Sequence, residues 1–245
     1  MSWVGDGSQY VAMILTGQSA FDLPGDAWSL FGWAKNGSMT ANAQYHLLNI
    51  NGYSSPNLAI RIYGTGHASN GKINFYSRDA TAKTFTATTA ASIIATKPGW
   101  YHIAAVRSGA TLTLYIDGAS SASSVNGDVA AATMADRGCE WFKRVSSAEQ
   151  FIGSLSHWGF SKAALTAPQL ADLQTKRPDK VAGLSLAWYC PMDSYTESIV
   201  PLTLTNNGTT ISGDGPAFAV DDPRATRYGQ PLRRSYRPPM VATPI

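Results

Sequence analysis

Side-chain catalysis needs groups of complementary acidity held together, and this chain is sparsely supplied with them. Its 245 residues include three glutamates, Glu140, Glu149 and Glu197, and four histidines, His46, His67, His102 and His157. Cleavage of a glycosidic bond normally takes two carboxylates flanking the scissile linkage. There is no Gly-x-Ser-x-Gly, no His-Glu-x-x-His and no phosphate-cradling glycine-rich loop. The histidines fall on different expected elements. His102 and His157, beside Trp100 and Trp158, read as structural residues of sheet faces. The expectation is a protein that is not an enzyme and carries no metal and no cofactor.

Two cysteines, Cys139 and Cys190, are too few and too far apart to make a metal site by themselves. They read as free, partly buried thiols of a reducing compartment, with a Cys139–Cys190 bridge as the alternative. Asn36-Gly37-Ser38 and Asn207-Gly208-Thr209 match the glycosylation acceptor pattern but read as turns. No charged-then-apolar segment opens the chain, and Met13-Ile14-Leu15 is too short for a leader core or a membrane span. The chain is therefore expected to be made in the cytoplasm without a signal peptide and to have no membrane partner.

Charge is scarce and unevenly placed. Only 14% of residues are charged, and the net charge is +3. Acids and bases balance through Phe218, so the whole excess lies in residues 219–245. That is too little to predict a nucleic-acid partner. The final segment carries Arg224, Arg227, Tyr228, Arg233, Arg234, Tyr236, Arg237, Pro238 and Pro239. It has five prolines, few aliphatics and no periodicity, so it cannot build a core of its own. Arginine and tyrosine dominate interface energetics, and proline lowers the entropy lost when an extended segment docks. Residues 219–245 are thus expected to be an extended arm that binds a partner.

The elements that would position any site are strands. Trp100 to Arg107 and Thr111 to Asp117 alternate with period two around Gly109, where a reversal favours positive φ. Further strands are expected at Gln9–Leu15, Trp28–Ala34, Tyr45–Asn49, Asn57–Tyr63, Lys72–Ser77, Glu140–Lys143, Gln150–Phe160 and Leu184–Tyr189. Asn206-Asn207-Gly208 is expected to close a hairpin. Residues 119–137 are small, polar and patternless, and read as a surface loop. One helix is signalled: Thr166 with Gln169 forms a capping box, Leu165 and Leu170 sit at the staple positions, and Lys176-Arg177-Pro178 ends it after about three turns. The prediction is an all-β sandwich spanning residues 1–218, with 184–218 either completing it or forming a small subdomain.

The motifs then point to a family. Trp100-Tyr-His-Ile-Ala, Leu114-Tyr-Ile-Asp-Gly118, Phe151-Ile-Gly-Ser-Leu-Ser-His-Trp-Gly-Phe160 and Ala163-Ala-Leu-Thr-Ala-Pro-Gln-Leu170 resemble the laminin-G-like, concanavalin A-like jelly-roll domains. The resemblance covers roughly residues 5–175 and implies a two-sheet antiparallel jelly roll with one short helix. Glucanase relatives carry Glu-x-Asp-x-x-Glu on one strand, and this chain has no such run. Lectin relatives use loop aromatics for stacking and Asp or Asn for calcium or hydroxyls. The resemblance therefore implies Tyr53, Asn57, His67, Asn70 and Asp79 as glycan-binding candidates, with Asp117 and Asp128 elsewhere. Each has a plainer reading as a turn former or a packed residue. A leaderless, charge-poor jelly roll with an anchoring arm also resembles the decoration, cement or fibre proteins of tailed-phage virions. That likeness implies a homo-oligomeric virion protein whose arm docks on the major capsid protein or a neighbouring copy. The alternative is a lectin-like adhesin or receptor-binding module that takes surface glycans.

Overall fold

Leu58, Ile60 and Ile62 enter one apolar cluster while the residues between them do not, and this period-two pattern governs most of the chain. The computed structural model of the protein describes residues 1–14, 19–38, 44–52, 54–134, 137–144, 150–192 and 204–218. The first strands are β1 (Ser2–Asp6), β2 (Tyr10–Ile14), β3 (Ala27–Asn36), β4 (Gln44–Ile50), β5 (Asn57–Tyr63), β6 (Ile73–Arg78) and β7 (Thr84–Thr88). After the short helix α1 (Ile93–Thr96) come β8 (Tyr101–Ser108), β9 (Thr111–Ile116), β10 (Ala119–Val125), β11 (Gly138–Trp141) and β12 (Ile152–Ser161). Helix α2 (Ala167–Asp172) precedes β13 (Trp188–Cys190), β14 (Leu204–Asn207) and β15 (Thr210–Ser212).

These strands form the expected two-sheet antiparallel jelly roll. Sheet A runs β10-β9-β8-β3-β12-β1-β15, with β13 also paired to β12, and sheet B runs β14-β2-β11-β4-β5-β6-β7. Between them lies a core in which Trp3, Trp28, Trp141, Trp158 and Trp188 are fully buried. Trp141 stacks on Trp188 at 5.5 Å and meets Trp158 edge-on at 5.2 Å. Such aromatic pairs contribute about 0.5–1.5 kcal/mol each beyond the area they bury.

The hairpin β8–β9 is as expected, with Gly109 at φ 58°. Tyr101, Ile103 and Ala105 face the core. Ala104 and Val106 face outward, where α2 and the following turns cover them with Leu165, Leu170, Leu173 and Val181. The capping box is present: Thr166 accepts from the Gln169 amide and the Gln169 side chain accepts from the Thr166 amide. The helix stops at Asp172, however, four residues before the expected basic stop at Lys176, because it only has to bridge one apolar patch.

Three other expectations need correction. Residues 119–125 are not loop but the edge strand β10, bonded to β9 through the backbone. An edge strand with one solvated face needs no apolar alternation, which is why its Ser/Ala run carried no signal. The turn Asn206-Asn207-Gly208 does not close a two-strand hairpin. It is a corner: β14 pairs with β2 in sheet B while β15 pairs with β1 in sheet A. Of residues 184–189, only Trp188 and Tyr189 are in a strand, and Leu186 packs on the outer apolar cluster of sheet A rather than inward. Among the described residues no helix is long and apolar enough to cross a membrane.

Candidate functional site

Because Leu58, Ile60, Ile62, Ile73, Phe75, Phe85 and Ala87 fill the core, the intervening residues of β5, β6 and β7 lie on the outer face of sheet B. The register sets them in rows. Arg61 pairs with His46 on one side and Asn74 on the other, and Asn74 pairs with Thr88. In the next row Asn49, Ala59, Tyr76 and Thr86 lie side by side, and beyond it Asn57, Arg78 and Thr84. Around the small Ala59 the Arg61, Tyr76 and Arg78 side chains are half-buried, while Tyr63 at the end of β5 is buried.

Arg61 is the centre of this surface. Its Nε donates to Asn74 Oδ1 at 2.8 Å and its Nη1 to Gln44 Oε1 at 2.5 Å. Its guanidinium carbon lies 5.6 Å from the Tyr63 ring centroid and 5.8 Å from that of Tyr76. Arg78 sits over the other side of the same corner, 5.2 Å from the Tyr76 ring. Asn74 is itself fixed, donating from Nδ2 to Thr88 Oγ1 at 2.8 Å and to Thr86 Oγ1 at 3.1 Å. At the end of β5 the His67 ring stacks on Tyr63, centroids 4.1 Å apart. His67 Nδ1 accepts from the Ser69 amide, which holds the ring flat against the tyrosine.

The titratable groups here are not arranged for proton transfer. His46 is fully buried and its pKa is pushed down to about 3 by burial and by the nearby Arg61 and Arg144 charges, so it is neutral at pH 7. Glu140 supplies the one carboxylate in the strands of sheet B. Burial raises its pKa, against the opposing pull of Lys143 at 3.7 Å. Lys143 in turn lies over the Tyr10 ring, 3.8 Å from its centroid. Among the described residues no three His, Cys, Asp or Glu side chains are close enough to hold a metal ion.

The sequence candidates divide between the two ends of β5 and β6 rather than converging. His67 and Asn70 lie on the β5–β6 connection; Asn70 is exposed and its amide donates to the His67 carbonyl. Asn57 is buried at the start of β5, where its Nδ2 donates to the Gly52 carbonyl and ties down the β4–β5 connection. Asp79 must be withdrawn as a ligand contact. It is buried, and its carboxylate accepts from the Thr81 and Lys83 amides, the Thr81 hydroxyl and the Ala130 amide. Burial alone would raise its pKa, but those donors outweigh it and hold the group below the usual carboxylate range. Asp117 is equally occupied, accepting from the His102 amide and pairing with Lys97 at 2.6 Å. Tyr53 and the arm residues Arg224, Arg227, Tyr228, Arg233, Arg234, Tyr236, Arg237, Pro238 and Pro239 lie outside the described residues. Sequence reasoning missed Arg61, Tyr63, Tyr76 and Arg78 as a group. The signal was the outward half of each strand's alternation.

Sheet A carries a depression of about 420 Å³ beside α2, lined by Tyr115, Asp117, Leu165, Leu170 and Gln174. At its floor Gln174 Nε2 lies 3.1 Å from Nδ1 of the buried His102. With Asp117 already paired, its lining is mostly apolar and tied up in helix packing.

Comparisons agree with this architecture. The family model described as the concanavalin A-like lectin/glucanases superfamily matches residues 6–171. No curated protein matches the chain. Among solved structures, one from Bacteroides ovatus with a carbohydrate-binding designation is similar over 88% of this chain and 60% of its own, at 14% identity and TM-score 0.63. The binding domain of Paraclostridial Mosquitocidal Protein 1 is similar over 70% of this chain and 45% of its own, at 13% identity and TM-score 0.54. Domains LG4-5 of the mouse laminin alpha1 chain are similar over 67% of this chain and 42% of their own, at 20% identity and TM-score 0.50. The chain thus spans less than two thirds of each of these structures, and the likeness at such identities is one of fold.

Proposed function

Because the chain belongs to the concanavalin A-like lectin/glucanases superfamily, we propose that it is a non-catalytic carbohydrate-binding module that uses the outer face of sheet B. One observation carries this reading: the face combines the half-exposed rings of Tyr76 and of His67, which lies on the buried Tyr63, with fixed amide and guanidinium donors, while its strands hold a single carboxylate. Sugar rings pair apolar faces with rims of hydroxyls, so flat rings beside fixed polar groups suit them. Glycoside cleavage needs a second carboxylate that these strands lack. The test is a glycan array probed with the full chain and with His67→Ala and Tyr76→Ala. A defined glycan retained by the unmodified chain and lost from both variants supports the reading, and equal retention by all three chains defeats it.

The proposal extends to an assembly. The last described residues cross the outer face of sheet A, where Asp214 pairs with Lys35 at 2.7 Å and Phe218 meets Trp33 and His157. The chain therefore enters residues 219–245 from the face opposite the candidate site. That arrangement favours a homo-oligomeric virion decoration or fibre protein, attached through its arm and displaying sheet B outward. Deleting residues 221–245 is expected to abolish incorporation into particles while glycan binding persists. Unchanged incorporation would remove the virion half of the proposal.

A further inference from the structure

The charges on sheet B say more about the ligand than that it is a sugar. Arg61 uses two of its five N–H donors on the neutral oxygens of Asn74 and Gln44. Among the described residues it forms no ion pair, and its plane is confined beside Tyr63 and Tyr76. Arg78 flanks the same tyrosine. The single carboxylate in the strands of this sheet, Glu140, lies within ion-pair range of Lys143. A guanidinium fixed by neutral amides and aromatic rings keeps its full charge and presents a pre-set fork, the geometry that recognises an oxyanion through two parallel hydrogen bonds.

We propose that the Arg61 corner, with Arg78 beside it and the half-exposed His67 and Tyr76 as the stacking rings, binds the anionic group of a saccharide, a carboxylate or sulfate borne on the sugar ring. The proposal rests on the carbohydrate-binding reading and narrows it to acidic glycans. The charge of Arg61 is felt by its neighbours: together with Arg144 it disfavours protonation of His46, the residue beside it in the sheet. An anionic ligand supplies the counter-charge that Arg61 lacks among the described residues, while a neutral one does not.

The experiment is calorimetric titration of the full chain with trigalacturonate, with a sulfated disaccharide and with neutral maltotriose. At least one anionic probe is expected to bind about tenfold or more tightly than maltotriose. Its affinity in the unmodified protein is expected to fall several-fold between about 0.05 and about 0.5 M NaCl, as screening predicts. Arg61→Gln should weaken it about tenfold or more, and Arg61→Lys, which keeps the charge but not the fork, should weaken it less than Arg61→Gln does. Because the arm is also basic, Arg233→Gln/Arg234→Gln is the control and should bind as the unmodified chain does. Loss of binding in that control, salt-independent binding, or an unaffected Arg61→Gln overturns the proposal. If maltotriose or another neutral glycan binds and neither anionic probe does, this inference falls and the carbohydrate reading stands. If no saccharide binds, both fall.

Discussion

The ring of Phe218 meets that of His157 edge to face, with centroids 4.7 Å apart and planes at 89°. Phe218 touches Trp33 in the same way at 6.1 Å, and four residues earlier Asp214 accepts from Lys35 Nζ and from Trp100 Nε1. The Asp214 carbonyl also accepts from Ser2 Oγ at 2.7 Å. Residues 213–218 thus fasten the N-terminal strand and the outer face of sheet A together. A chain ending at Phe218 is expected to melt within about 2 °C of the full chain, whereas one ending at Ser212 should melt roughly 4–8 °C lower, equivalent to about 2 kcal/mol. Calorimetric melting of the two truncations decides it. Equal melting temperatures would show that the strap holds nothing.

Three buried histidines make the sandwich acid-sensitive. Burial pushes His46 and His157 down to about 3 and His102 down to about 4. Each folded-state value lies below the unfolded one near 6.5, so only the unfolded chain takes up protons as the pH falls through that value. The sign is therefore loss of stability on acidification, beginning near pH 6.5 and continuing towards pH 4. Summed over three sites, stability should fall by about 3 kcal/mol between pH 6.5 and pH 5.5. Asp79 and Asp214, whose pKa values are lowered, add a later loss below the unfolded carboxylate value near 4. Urea midpoints measured at half-unit pH steps test this, and His157→Gln should reduce the slope by about one third. A flat profile from pH 7 to 5 contradicts it.

The same elements show what the sequence could and could not carry. The alternation of Leu58, Ile60 and Ile62 with Ala59, Arg61 and Tyr63 announces a two-faced strand, and β5 occupies the expected residues. Thr166 and Gln169 announce a cap because both partners lie within one turn. By contrast, Asn206-Asn207-Gly208 specifies only that the chain turns. Whether the flanking strands pair with each other or with β1 and β2 depends on residues some 200 positions away. The site was hard to read for a related reason. Polar residues in loops, such as Asp79, draw attention, yet loops need buried acceptors to satisfy their own amides, and Asp79 is spent on that. Arg61 and Tyr76 look ordinary in sequence and become a surface only when register sets β5 beside β6.

Cys139 and Cys190 are both buried and not bridged. Cys139 lies on the inner face of β11, where burial, with help from Glu140, raises its thiol well above the usual value. The thiolate is the reactive form, so burial and a raised pKa both suppress chemistry. A thiol reagent in excess should leave both cysteines unmodified in the native protein and label both in urea, read by intact mass. Rapid labelling of either under native conditions would contradict the packing.

Gly32 in the middle of β3 is where the core leaves least room. A Cβ placed there would overlap the ring of Trp158. That ring has nowhere to retreat: it is fully buried, it meets Trp141 edge-on, and its Nε1 donates to the Trp33 carbonyl at 3.1 Å. Gly32→Ala therefore acts as overpacking and should cost about 3 kcal/mol, near the upper end for such changes. Gly109 provides the contrast. Nothing lies within 4 Å of its Cβ position, but its φ of +58° belongs to the left-handed region, so Gly109→Ala should cost only about 1 kcal/mol of backbone strain. The two mechanisms separate in combination with Trp158→Leu. Removing the indole should recover part of the Gly32→Ala loss relative to Trp158→Leu alone and none of the Gly109→Ala loss, as measured by urea midpoints. Additive losses at both glycines would mean that Trp158 is not what excludes a side chain at position 32.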